Sequence, residues 1–412
     1  MRIKGEYKTL TVYLFSILVV LPFFSSEIGI SLGEMKICIS DFVIFYVTAI
    51  YILNVISNGY RFNVNTELKW WIVLLLLWII MIPFGVLNGG KISECIRLIR
   101  VILYIPTTFF LFNKYIKRYV SELLSVISLI VAANTIINAL FLYKQYKWFM
   151  FYRANGILTV ILFCFKFFEI FSNKKYVYKY VNGFCCLILL VASFFSQERT
   201  QLITIALSCM LTSIIMIIKN RGVHLKKNRL ANRIIEFVAG FAVLLLVYKL
   251  VTNVDIFKKY IDYYVEYRLR DGNIVQLNEL HNDGSAKGRL FQFESIISDS
   301  MNPVYFIIGR GTCAHYIALQ GDTYIVDSAA LWVLKDLGII GLFILIICCL
   351  QLIHVNKNVT CDYSVLSAAI SIVMFMFYNP SFIYTISAAF TVGMVLFLKN
   401  YSIDNNNKSS II

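Results

Sequence analysis

Long uninterrupted apolar blocks, not alternating positions, dominate the pattern along this chain, as in Trp70–Ile82, Cys185–Phe195 and Leu337–Leu350. Blocks of this kind predict helices that are apolar on every side, whereas the strands of an outer-membrane barrel would alternate. A bilayer crossing needs roughly 17–25 such residues. On that criterion the chain offers about twelve candidate spans: Thr9–Ser25, Cys38–Ile56, Trp70–Leu87, Cys95–Phe112, Val120–Tyr143, Gly156–Phe171, Val181–Phe195, Leu202–Ile218, Ile234–Val251, Ala329–Ile353, Val365–Tyr378 and Phe382–Leu398. The first follows Arg2, Lys4 and Lys8 and has the look of a signal peptide, but no small-residue cleavage site succeeds it, so it is expected to be a retained helix.

Between the ninth and tenth spans the pattern changes. Val254–Arg270 sets Phe257, Tyr260, Ile261, Tyr264 and Val265 on one helical stripe and Asp255, Lys259, Asp262 and Glu266 opposite. That stripe suits a helix lying in the membrane interface, or one packed on the spans. Asn273–Lys287 is polar, and Asp283-Gly284-Ser285 marks a turn. Gly288–Ser300 reads as a second amphipathic helix with Arg289 at its start, ended by Asn302-Pro303. The apolar run Val304–Ile308 leads into Gly309-Arg310-Gly311-Thr312, then a polar stretch with His315, Gly321, Asp322 and Asp327, and re-entry through Ala329–Gly341.

The expected organisation is an all-α polytopic membrane protein in three parts. Residues 1–251 hold transmembrane helices one to nine, residues 252–328 form a large outward loop, and residues 329–412 hold helices ten to twelve and a tail. Composition agrees: 59% of the 412 residues are hydrophobic and 15% charged, with mean hydropathy +0.74. A soluble domain would show roughly 45–50% apolar and about 25% charged residues. A soluble enzyme, a collagen-like chain and a disordered chain are excluded together. The net charge of +15 reflects basic residues in cytoplasmic loops, above all the six in Lys219–Arg233, so it gives no reason to expect nucleic acid. The same bias predicts that both termini are cytoplasmic and that residues 252–328 face outward.

The ten cysteines form no evident disulfide framework, and Cys164, Cys185, Cys186, Cys209, Cys348 and Cys349 fall inside spans, where a thiol acts as a small apolar group. No metal-ligand spacing and no phosphate-binding glycine loop of the nucleotide-hydrolase type is present, so no cofactor is expected.

An arginine on a helix, an Asn-Pro turn, an apolar run, G-x-G, a polar loop with a histidine, then D-S-A-A-L-W-V-L-K-D-L-G-I-I-G-L: this order, over Arg289–Leu342, resembles the O-antigen ligase and polymerase superfamily, specifically its Wzy-type polysaccharide polymerases. Ser196-Gln197-Glu198-Arg199-Thr200 is similar to the superfamily's other arginine-bearing motif. Ligases of the superfamily tend to carry a histidine where the re-entering helix begins; Asp327 stands there instead, which favours a polymerase. The resemblance implies a glycosyltransferase of the bacterial inner membrane. It would join undecaprenyl-diphosphate-linked oligosaccharide repeat units, as in lipopolysaccharide O-antigen, on the periplasmic face, with membrane lipid and a chain-length regulator as partners. The alternatives are an O-antigen ligase, or a lipid-linked oligosaccharide flippase or secondary transporter. The transporter reading lacks the matched helix breaks of two repeated halves.

A diphosphate leaving group needs fixed cations, and the planar guanidinium fork matches phosphate oxygens. The outward arginines that oppose the topological bias are therefore the diphosphate-binding candidates: Arg97, Arg100, Arg153, Arg199, Arg289 and Arg310. Each has a plainer reading. Snorkelling accounts for Arg97 and Arg100, and interfacial anchoring beside Trp148 and Tyr152 accounts for Arg153. A simple G-x-G turn accounts for Arg310. Arg268 and Arg270 read as a solvated helix terminus. His315 and Asp327 are the catalytic candidates, as base or orienter of the acceptor hydroxyl; a solvated loop histidine and an N-cap before Ser328 are their plainer readings. Lys335 and Asp336 are read as the interfacial start of the re-entering helix.

Overall fold

The computed structural model describes residues 10, 13–20, 29–32, 35–39, 41–42, 45–46, 49, 66–115, 120–146, 156–170, 176–195, 199–220, 284–299, 302–318, 321–323, 325–354, 362–378 and 385–409. The expected span Ile234–Val251, the amphipathic stretch Val254–Arg270, most of the basic segment Lys219–Arg233, and Arg153 lie outside these residues.

The described chain is predominantly helical. After a β-hairpin of β1 (Gly29–Leu32) and β2 (Met35–Cys38) come α1 (Thr66–Ile80), α2 (Ile82–Leu87), α3 (Ile92–Tyr115), α4 (Val120–Tyr146), α5 (Gly156–Ile170), α6 (Tyr176–Phe195) and α7 (Arg199–Asn220). Then follow α8 (Gly284–Asp299), α9 (Pro303–Ile308), a second hairpin of β3 (Tyr316–Ala318) and β4 (Gly321–Thr323), α10 (Ala329–Ile353), α11 (Tyr363–Tyr378) and α12 (Ile386–Ser409). Among the described residues two stretches, Ile92–Asn113 and Ala329–Ile353, are long and apolar enough to cross a membrane. The shorter apolar helices include Leu68–Ile80, Glu122–Asn138 and Tyr363–Phe377.

Helix α5 occupies the interior: every residue from Gly156 to Glu169 is buried, as its all-round apolar sequence requires. It carries one ionic group inward. The Lys166 ammonium pairs with Glu169 at 3.0 Å and donates to Ser125 Oγ of α4 at 3.0 Å and Asn182 Oδ1 of α6 at 3.2 Å, so a charge that would be costly alone ties three helices together. Hydroxyls elsewhere on apolar helices bond back to their own chain, as Ser128 to the Leu124 carbonyl, Ser193 to Leu189 and Thr391 to Ser387. Helices α3 and α12 lie close together: a Cβ at Gly393 would stand 2.4 Å from the Ile105 carbonyl oxygen. Phe15, in the helical residues 13–20, stacks on Tyr104 of α3 and meets Phe390 of α12 edge-on.

Two expected elements are redrawn. Trp70–Leu87 is interrupted at Met81, where α1 ends and Pro83 opens α2, a position at which the missing proline N–H costs nothing. The second amphipathic helix starts at Gly284 rather than Gly288, so Arg289 sits in its second turn. Asn302 does not merely end that helix. Its side chain caps α9 by accepting from Val304 N at 3.0 Å.

Candidate functional site

The segment 309–315 enters the protein where two helices are interrupted. The first interruption is the α1–α2 break at Met81. The second lies inside α10, where Gly338 at φ +63° breaks the helical backbone and leaves upstream carbonyls available. The Lys335 carbonyl accepts Arg310 N at 2.8 Å, and the Asp336 carbonyl accepts Gly311 N at 3.0 Å. At the other break the Met81 carbonyl accepts Thr312 N at 3.1 Å, and past the end of α2 the Asn88 carbonyl accepts His315 N at 3.1 Å.

This docking explains the G-x-G. Gly311 has φ +101°, and a Cβ there would lie 2.0 Å from Gly85 N. The glycines flanking Arg310 thus bring the backbone against α2 and α10 of the same chain.

A buried polar cluster underlies the loop. Asp336 is fully buried and its Oδ2 accepts from three donors: Trp332 Nε1 at 3.0 Å, Cys313 N at 3.1 Å and Trp78 Nε1 at 3.3 Å. Its Oδ1 stands 3.2 Å from Lys335 Nζ, which also donates to the Ala314 carbonyl at 2.6 Å and lies over the rings of Tyr316 and Trp332. Lys335 and Asp336, at 3% and 0% exposure, are thus buried within the protein at the start of α10. What makes them so is the loop folded over them.

On the outer side of the loop, His315 Nε2 meets Glu94 Oε2 at 3.0 Å. Glu94 also accepts Lys91 N at 3.0 Å, the reach-back of a capping-box glutamate at the head of α3. Arg97 stands one turn further along α3 and is exposed. The Arg310 guanidinium lies 5.7 Å from the Tyr305 ring centroid, and its carbonyl accepts Asn88 Nδ2 at 2.7 Å. Asn88 Oδ1 in turn accepts the Tyr305 hydroxyl at 3.4 Å.

The β3–β4 hairpin connects His315 to Asp327. Tyr316 anchors it by donating its hydroxyl to the Ile325 carbonyl at 2.8 Å. Burial, and after it the nearby Asp327 carboxylate, push the Tyr316 phenol above its ordinary range. Asp327 N donates to Gln292 Oε1 of α8 at 3.1 Å, and Arg289 is one helical turn before Gln292. The N-cap of α10 is Ser328, whose side chain makes no cap hydrogen bond, so Asp327 precedes the cap rather than forming it.

The fold therefore brings His315, Arg310 and Arg97 to one end, reaching Asp327 and the Arg289 backbone through the hairpin. Arg100 is engaged differently. Its Nη1 pairs at 3.2 Å with Asp41, which also accepts Cys38 N at 2.7 Å and the Tyr104 hydroxyl at 3.1 Å. Arg199 is the first residue of α7. Glu94 and Asn88 were missed in the sequence. The Lys91-Ile92-Ser93-Glu94 run was a readable helix start, but nothing near Asn88 pointed to its bonds. Among the described residues no group of three or more His, Cys, Asp or Glu could hold a metal ion. No known protein family matches the chain, and no curated protein does.

Proposed function

We propose that this chain is a Wzy-type polysaccharide polymerase. It would sit in the bacterial inner membrane with about twelve spans, both termini cytoplasmic and residues 252–328 facing the periplasm. The reading is carried by one observation: the stretch whose order resembles that family folds back on the heads of α2 and α3, with His315 on Glu94 and Arg310 beside Tyr305 at the same end.

In the proposed reaction an acceptor sugar hydroxyl attacks the anomeric carbon of a lipid-diphosphate-linked donor. The new glycosidic bond forms as the bond to the diphosphate oxygen breaks, and undecaprenyl diphosphate leaves with the electron pair. Arg310, Arg97, Arg289 and Arg199 would meet the charge on the leaving group, a task suited to guanidinium donors in a site without nucleotide or metal. The hydroxyl proton passes to His315 or Asp327. A carboxylate on a histidine fixes its tautomer and steadies the imidazolium formed on protonation, and Glu94 is set to do this for His315.

The test is reconstitution of the purified protein with lipid-linked repeat units. A ladder of longer lipid-linked chains is expected. In cells, deletion should leave single repeat units on lipid A. Deletion that leaves none attached would indicate a ligase, and units trapped on the cytoplasmic side a flippase.

A further inference from the structure

The described cysteines are all thiols, and two pairs of them lie beside each other: Cys95 with Cys313, and Cys164 with Cys209. The pairs differ in their surroundings. Cys164 and Cys209 lie well inside the apolar helices α5 and α7, while Cys95 lies in the first turn of α3 and Cys313 in the loop at the same end of the molecule.

We propose that Cys95 and Cys313 form a disulfide in the protein as it matures, covalently fastening the loop that carries Arg310 and His315 to the head of α3. The proposal rests on the outward placement of this end given above, because a disulfide persists in an oxidising compartment and not in the cytosol.

The geometry favours this pair. Cys95 Sγ donates to the Thr312 carbonyl at 3.2 Å, so it already touches the residue preceding Cys313. Among the described residues Cys313 is the one non-glycine with a left-handed φ, +58°. A non-glycine residue holds such a conformation only where its surroundings over-determine it. Cys313 N bonded to Asp336 and the chain on either side bonded to Met81 and Asn88 supply that determination. The bond would run beside the His315–Glu94 contact, since Glu94 precedes Cys95 and His315 lies two residues after Cys313.

Timing follows from burial. Both side chains are inaccessible in the closed structure, and the adjacent Cys95, and after it burial, hold the Cys313 thiol well above its usual range. The thiolate is the reactive form, so exchange belongs to the stage before the loop closes. The oxidant is a protein disulfide of the thiol oxidoreductase class. One cysteine attacks it to give a mixed disulfide, and the second displaces the oxidant's sulfur. The two cysteines lose two electrons and two protons in all, and the oxidant's disulfide becomes two thiols.

The experiment uses the full chain in native membranes. Free thiols are blocked with N-ethylmaleimide in detergent under denaturing, non-reducing conditions. The protein is then reduced, labelled with a second maleimide of different mass and mapped by peptide mass spectrometry. The second label is expected on Cys95 and Cys313, and the first on Cys164 and Cys209. N-ethylmaleimide on Cys95 and Cys313, or either one linked to another cysteine, overturns the pairing. A topology reporter fused at Asp283 is run beside it. A cytoplasmic signal overturns the outward reading, whereas an outward signal with both thiols blocked overturns the disulfide alone.

Discussion

Removing the carboxylate of Asp336 tests whether the buried cluster holds the loop. The substitution Asp336→Ala strands the Lys335 ammonium and leaves the Trp78 indole, the Trp332 indole and the Cys313 amide without their common acceptor. Breaking a buried ion pair by deleting one partner costs about 3–5 kcal/mol. Each stranded donor costs about 1–3 kcal/mol more, and these terms overlap because the groups share one oxygen. Even the lower figure should reduce the thermal midpoint by about 3–4 °C, because an unfolding entropy of about 2.1 cal/mol/K per residue makes each kcal/mol worth roughly 1 °C in a chain of 412 residues. Asp336→Asn keeps an acceptor oxygen and should fall between wild type and Ala. The double variant Lys335→Met with Asp336→Leu should recover part of the loss, since a buried pair replaced by apolar groups of similar volume is often neutral. Intrinsic tryptophan fluorescence in detergent is a suitable assay, because two indoles sit on the carboxylate itself. A midpoint for Asp336→Ala equal to wild type would refute the reasoning, as would a double variant less stable than the single one.

Arg289→Ala and Arg199→Ala should abolish long chains while the protein still accumulates in the membrane, and Lys at either position should rescue poorly because a point charge lacks the guanidinium fork; normal ladders from both Ala variants would assign these residues to anchoring. Asp327→Asn should fold and lose most polymerisation in the purified assay, since general-base assistance is worth about 10²–10⁴ in rate; near-normal turnover would leave His315 as the base. Gly311→Ala should open the loop to proteolysis, because a Cβ at φ +101° would lie 2.0 Å from Gly85 N; unchanged protection would contradict the close packing.

Much of the helical layout was legible because it depends only on runs of apolar residues. Ala329–Ile353 was read with the ends the fold has, and Val365–Tyr378 to within two residues. Interruptions were harder to read. Pro83 is compatible with a kink inside one span or with the start of a new helix, and the fold ends α1 at Ile80 and starts α2 at Ile82. The burial of the Lys335-Asp336 pair was not legible for a related reason. Charge at the head of an apolar helix normally signals the interface, and its burial depends on a loop that precedes it by twenty residues and more. The β3–β4 hairpin is three residues a side, too short for alternation to register. His315 and Arg310 are candidates because their residue types suit the chemistry. Glu94 and Asn88 were not, because their roles are fixed by partners more than two hundred positions away, with separations of 221 and 222.

The two helix interruptions have one physical reason in common. Away from water each backbone N–H and C=O needs a partner within the protein, so a largely buried irregular segment such as 309–315 is tolerable only where other polar groups are available to it. A continuous helix offers few, since most of its carbonyls are already bonded internally. The break at Gly338 leaves the Lys335 and Asp336 carbonyls to Arg310 N and Gly311 N, while the Met81 carbonyl between α1 and α2 accepts Thr312 N as well as Gly85 N, and the Asn88 carbonyl past the end of α2 accepts His315 N. The loop and the breaks therefore depend on each other. With its backbone satisfied from below, the loop can direct Arg310 and His315 toward Tyr305 and Glu94 instead of using them for its own support. That division, backbone for anchoring and side chains for chemistry, is what a site needs if it is to present fixed charges to a diphosphate at the edge of a bilayer.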